Sequence, residues 1–151
     1  MTEMSKYVVG FIFTEDASRV LLVKKNRPDW QAGKLNGIGG HIEDGEEGWE
    51  AIQRECKEET GLDDIPWLNA ACLSGVNNDS GLFICHVYYA FTDRVNDFQQ
   101  IEDEVLRIYS VEAIPELNTI GNLQYLIPYG VGITKEQYYR QGQHPFMNLC
   151  Y

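Results

Sequence analysis

Positive charge is scarce in this sequence. Twelve Lys and Arg stand against 23 Asp and Glu, a formal charge of −11 over 151 residues. No Lys/Arg-rich segment supplies the counter-charge that a nucleic-acid backbone needs, so no extended nucleic-acid partner is expected. A small phosphorylated ligand stays open, provided that metal ions bridge its phosphates to carboxylates. Long apolar runs are also missing. None reaches the ~18 residues of a membrane-spanning helix, and no membrane partner is expected. The start, MTEMSKYVVGFIF, lacks the pattern of a secretory signal. Cysteine is sparse: Cys56, Cys72, Cys85 and Cys150 are scattered with no CxxC pair. That usage reads as a reduced, cytoplasmic protein rather than a disulfide framework. Neither His41 nor His86 has metal-ligand spacing with another His or Cys, so zinc is not expected.

What is present organises into one domain over residues 1–151, long enough to bury a sizeable core. Tyr7–Phe13 and Val20–Val23 are β-branched and aromatic runs around the turn residues TEDASR, which predicts a hairpin. Lys24, Lys25, Asn26 and Arg27 leave the second strand as a basic tip, suited to substrate phosphates or simply solvated. Pro28–Lys34 reads as a loop. Trp67–Val76 and Gly81–Phe91 read as strands joined by a turn at Asn77–Ser80. Val105–Val111 reads as the last strand, and Glu112–Pro115 as a helical turn. Asn122–Val131 reads as a helix interrupted or ended at Pro128. Thr134–Tyr151 yields no assignment.

The densest chemistry lies between Gly40 and Leu62, GHIEDGEEGWEAIQRECKEETGL, which holds seven glutamates. A helix over about Glu47–Thr60 is predicted, with Gly61 ending it in the left-handed conformation. Trp49, Ile52 and Cys56 would form its apolar stripe, on a different side from Glu55, Glu58 and Glu59. Those three acids share one face at i, i+3 and i+4, where like charges repel. A hard divalent cation, Mg²⁺ or Mn²⁺, would neutralise them. A solvated acidic helix is the plainer reading of the same residues.

The spacing favours the cation. Gly40, Glu46, Arg54-Glu55, Glu58-Glu59 and Gly61 resemble the Nudix box of the Nudix hydrolases at every polar and glycine position, with Cys56 where that family usually carries Ile, Leu or Val. The resemblance implies an α/β/α sandwich around a mixed sheet, and Mg²⁺-dependent hydrolysis of a diphosphate linked to a nucleoside or other moiety. Carried over by position, Gly40, Glu55, Glu58 and Glu59 would hold the metal, Gly40 through its carbonyl. Glu58 is also a candidate base. Arg54 would pair with Glu46 or a neighbour and fix the loop to the helix, or form an ordinary i,i+4 surface pair. Many members take a further carboxylate from a loop before the last strand; Glu104 is the first choice here and Glu102 its rival.

Substrate recognition is implied less directly. Leu35-Asn36-Gly37-Ile38-Gly39-Gly40 resembles the WNGFGGK-type segment of Nudix enzymes that cleave oxidised purine nucleoside triphosphates. Asn36, Gly39 and Lys24 are therefore the substrate-binding candidates, with Asn36 on the base. Leu35 replaces Trp, and the acidic pair that reads the purine edge has no match near Thr119–Leu123, where Asn122 is the nearest polar residue. The first reading is a nucleoside triphosphate pyrophosphohydrolase, monomeric or homodimeric, acting on a small nucleotide. An ADP-ribose or nucleoside diphosphate sugar hydrolase is the second. An inactive Nudix-fold binding module is the third, disfavoured because all the box glutamates are kept.

Overall fold

Residues 4–77, 81–133 and 147–150 are described by the computed structural model. Strand β1, Ser5–Phe13, shows how the core divides. Alternate side chains on a strand leave opposite faces. Val9, Phe11 and Phe13 enter one apolar cluster, while Val8 and Ile12 enter the clusters on the other face. The next strand, β2 (Arg19–Lys24), repeats the division: Val20 and Leu22 to one side, Leu21 and Val23 to the other. A strand apolar on both faces is a strand covered on both faces.

The remaining strands are β3 (Leu35–Asn36), β4 (Ile38–His41), β5 (Leu68–Asn77), β6 (Gly81–Phe91), β7 (Val105–Ser110) and β8 (Met147–Cys150). They form one mixed sheet in the order β3-β2-β1-β6-β5-β8, with β4 also pairing β1 and β7 also pairing β2. β1 runs parallel to β6 and β5 parallel to β8; the other pairings are antiparallel. The expected hairpin, the central strands and the 3₁₀ turn at Val111–Glu116 are all present. The expected turn at Asn77–Ser80 falls, for Asn78–Ser80, outside the described residues. β7 is not the last strand. β8 comes from the unassigned tail, four residues that pair with Ala71–Ser74 of β5.

Helix α1, Gly48–Thr60, covers one face and α2, Leu123–Gly132, lies on the other. α2 runs through Pro128 instead of stopping there. The amide that Pro128 lacks would have served the carbonyl of Gln124, an exposed residue whose carbonyl water can satisfy. The helix is also held from below. Tyr89 Oη donates to the Leu126 carbonyl (2.8 Å), and the absent side chain of Gly130 lets the Tyr89 ring approach.

α1 departs from its expected stripe. Its buried residues are Ala51, Ile52, Cys56, Glu59 and Thr60, whereas Trp49 is 61% exposed. Trp49 belongs to the first turn, and helix side chains lean toward the N-terminus, past the strand residues on which the helix rests. Glu59 is thus on the buried face and not opposite it. Gly48, a poor helix former, has a packing reason: a Cβ there would come 2.7 Å from Tyr88 Oη. The start gains a partner as well, because Glu50 accepts from the Glu47 N–H (2.9 Å). Gly61 ends the helix as expected, at φ 75°, its N–H donating to the Lys57 carbonyl (2.9 Å).

Candidate active site

β4 and α1 meet where the glycines let them. A Cβ on Gly39 would overlap the Val8 carbonyl oxygen, and one on Gly40 would overlap the Glu55 carboxylate. The paired glycines therefore bring bare backbone up to two carboxylates one helical turn apart, Glu55 and Glu59. Glu59 is only 6% exposed, and its Oε2 accepts from the Gly39 N–H (3.2 Å). Burial, and then the charge of Glu55, push its carboxyl up to about 8. Glu55 is also raised by burial, against the opposing pull of Arg54. Two carboxyls held near each other, both reluctant to ionise, form a site short of positive charge.

Arg54 organises the outer wall. Its Nε and Nη2 bond both oxygens of Glu46 (2.8 and 2.9 Å), a bidentate fork that holds Glu46 below the usual carboxyl range. Nη2 also donates to the His41 carbonyl (3.1 Å), while Nη1 reaches Glu55 (3.0 Å) and Glu58 (3.3 Å). Arg54 thus pairs with Glu46 of the loop and also makes the i,i+4 contact with Glu58. Glu58 itself is largely exposed.

The two rival loop acids separate clearly. Glu104 is 6% exposed and turned toward Lys25 Nζ (2.9 Å) and the Asn26 N–H. Burial would raise it, but those two donors more than offset burial and hold it below its ordinary value. Glu102 is exposed and near enough to raise both Glu55 and Glu59 by charge repulsion. Glu104 is engaged as an ion-pair partner, whereas the charge of Glu102 is felt at Glu55 and Glu59.

Lys24 and Lys25 leave β2 on different faces. β2 alternates, so Lys24 follows Leu22 to the α2 face, while Lys25 follows Val23 to the α1 face. Lys25 is the cation whose charge reaches Glu59. The period-2 pattern of RVLLVKK carried that signal. Asn36 is paired opposite Val23 and so shares the α1 face. Its Nδ2 donates to Gln31 Oε1 (3.2 Å), and its Oδ1 accepts from the Gly37 N–H (2.8 Å). His41 is exposed, its ring 4.5 Å from that of Tyr7. His86 is half-buried in β6, and burial lowers its pKa. Gln100, which no sequence pattern singles out, ties the Glu102 loop together.

Among the described residues, no three His, Cys, Asp or Glu side chains converge as a preformed metal cage. Arg54 Nη1 is shared by Glu55 and Glu58. The donor set still suits a hard divalent cation: the carboxylate oxygens of Glu55 and Glu59, both with raised pKa, beside the half-buried backbone of Gly39 and Gly40.

Comparison with known proteins gives the family. A family model described as the NUDIX domain matches residues 4–128. No curated protein matches the chain. Among solved structures, a Nudix-family hydrolase from Clostridium perfringens is 25% identical, covering 84% of this chain and 95% of its own, with a TM-score of 0.67. A MutT protein from Bacillus halodurans is 18% identical over 97% of this chain and 90% of its own, TM-score 0.69. The Nudix domain of Shewanella oneidensis NrtR, crystallised with ADP ribose, is 17% identical over 85% of this chain and 86% of its own, TM-score 0.72. A mixed sheet between helices, with paired acids against a glycine strand, is the Nudix α/β/α architecture. The chain belongs to the Nudix family, and it is a hydrolase acting on pyrophosphate bonds. That family generally uses divalent metal ions and takes small nucleotide substrates. Among the described residues, no helix is long and apolar enough to cross a membrane.

Proposed function

We propose that this chain is a Mg²⁺-dependent pyrophosphohydrolase that converts a nucleoside or deoxynucleoside triphosphate, oxidised forms included, to the monophosphate and pyrophosphate. The observation that carries the reading is the pair Glu55 and Glu59: acids one turn apart, raised by burial, facing Gly39 and Gly40. A divalent cation there would neutralise the diphosphate and lower the pKa of an attacking water. Glu55, Glu59 and the Gly40 carbonyl would hold it, with Glu58 at the exposed rim.

Glu102 supplies the further carboxylate from the loop before β7. Arg54 keeps Glu46, Glu55 and Glu58 in register with the β4 backbone. Asn36, donor and acceptor at once, contacts the base from the α1 face. Gly39 offers close backbone approach, and Lys24, at the exposed end of β2, offers positive charge to the phosphates. The molecule works as one domain, as a monomer or homodimer in the cytoplasm.

Neighbours bearing MutT names and one bound to ADP ribose share the fold at under 25% identity, which leaves the substrate to experiment. The test is product release from a panel of dNTPs, oxidised dNTPs, ADP-ribose and nucleoside diphosphate sugars with Mg²⁺. Wild type and Glu59→Gln are compared, and a loss of 10²-fold or more is expected from losing a group that holds transition-state charge. No Mg²⁺-dependent turnover of any substrate would sink the enzyme reading. Preferred turnover of ADP-ribose would replace the triphosphate.

A further inference from the structure

The loop that carries Glu102 is short, exposed and acidic, yet it is fastened at several points. At its start, the Gln99 N–H donates to the Thr60 carbonyl at the end of α1 (2.8 Å). Inside it, Gln100 Nε2 donates to the carbonyls of Glu102 (2.8 Å) and Glu104 (2.6 Å), while Gln100 Oε1 accepts from the Leu106 N–H (2.8 Å). At its end, the Glu104 carboxylate enters the protein and takes Lys25 Nζ and the Asn26 N–H. The Lys25–Glu104 pair is largely shielded, its side chains 16% and 7% exposed, unlike the exposed Arg27–Asp103 pair beside it. A buried charged pair with a backbone donor is a fixed point, because removing either partner leaves an uncompensated charge. An exposed pair is not.

We propose that Glu104 is a positioning residue. Its clamp on Lys25 and Asn26, with Gln100 bracing the carbonyls between, sets the loop so that the Glu102 carboxylate faces Glu55 and Glu59. The inference rests on the assignment of Glu102 to the site. It gives Glu104 a role through Glu102, not as a group that touches metal or substrate. It also explains why a loop acid is buried away from the other acids, and why a lysine near Glu59 is already paired. Groups that orient metal ligands typically matter by 10–100-fold in metal affinity.

The test is a titration of the full chain with Mn²⁺, free ion read by electron paramagnetic resonance, with Tm measured alongside. Wild type, Glu102→Gln, Glu104→Gln and the double variant are compared. Each single change is expected to weaken Mn²⁺ binding by about tenfold, the lower end for such groups. The double variant is expected to bind no more weakly than Glu102→Gln, since residues that act through one another do not add. Multiplied losses would overturn the proposal, because Glu104 would then act independently of Glu102. Wild-type affinity in Glu104→Gln would overturn it as well. Wild-type affinity in Glu102→Gln would instead overturn the assignment on which the proposal rests.

If Glu104→Gln does not fold, Gln100→Leu probes the same loop from an exposed position. A loss of about threefold or more that vanishes in the Glu102→Gln background supports positioning by the same reasoning. An equal loss in both backgrounds overturns it.

Discussion

Glu59 illustrates what one buried acid does to the whole chain. Its carboxyl stands near 8 rather than 4.5, because burial and the charge of Glu55 both disfavour the ionised form. The sign follows from which state binds the proton more tightly. Between about 4.5 and 8 the folded protein keeps the proton and the unfolded chain releases it, so this group stabilises the fold at low pH and loses that effect as pH rises through 8. The metal-free protein is therefore expected to lose Tm between pH 6 and pH 9. Glu59→Gln, which carries no proton to lose, should flatten that slope. Each 1 kcal/mol is worth about 2–4 °C in a chain of this size. Thermal melts in chelator across that range check the point, and an identical slope in the variant would refute it. Gly39 and Gly40 make a second contrast. A Cβ on Gly39 meets backbone, whereas one on Gly40 meets the movable end of Glu55. Gly39→Ala should strip several degrees from Tm. Gly40→Ala should melt nearly as wild type yet lose most turnover, because Glu55 has to move aside. Melting curves beside activity assays separate the two.

At the scale of elements, α1 depends on a few side chains. Ile52 is fully buried, and its Cδ1 lies where a Cβ on Gly10 would have to go. Ile52→Ala removes that contact and leaves a cavity beneath the helix, costing about 2–5 kcal/mol. Trp49→Ala should cost under about 0.5 kcal/mol, since an exposed residue away from such features changes little. Denaturant unfolding of the two variants checks both, and a Trp49 cost as large as that of Ile52 would restore the stripe expected from periodicity. The difference shows what sequence patterning resolves. The helix, its Gly61 end and the acids at i, i+3 and i+4 are local features, written in spacing. Which flank of the helix meets the sheet depends on where β4 and β6 lie, and those are long-range contacts. For the same reason Lys24 and Lys25 look equivalent in the sequence until the alternation of β2 is tied to a face. Glu102 and Glu104 differ only through Lys25 and Asn26, more than 70 residues earlier in the chain. β8, four residues in a tail without clear periodicity, has meaning only beside β5.

At the scale of the molecule, the charge of −11 and the site pull in one direction. A chain this acidic repels itself, so any salt that screens the charge raises stability a little. A bound ion acts differently. It stabilises by mass action, RT ln(1 + [L]/Kd), about 2.7 kcal/mol at a hundred times Kd. It also removes the penalty of ionising Glu59 within the fold, so its effect should grow with pH as the acids release protons to admit it. MgCl₂ should therefore raise Tm by several degrees more than NaCl of matched ionic strength, and more at pH 8.5 than at pH 6. In a Glu55→Gln/Glu59→Gln variant the two salts should act alike, because only screening is left. Equal gains from both salts in the wild type would mean that the acidic cluster is a solvated surface and not a cation site. A magnesium advantage that survives in the variant would place the ion elsewhere on the molecule.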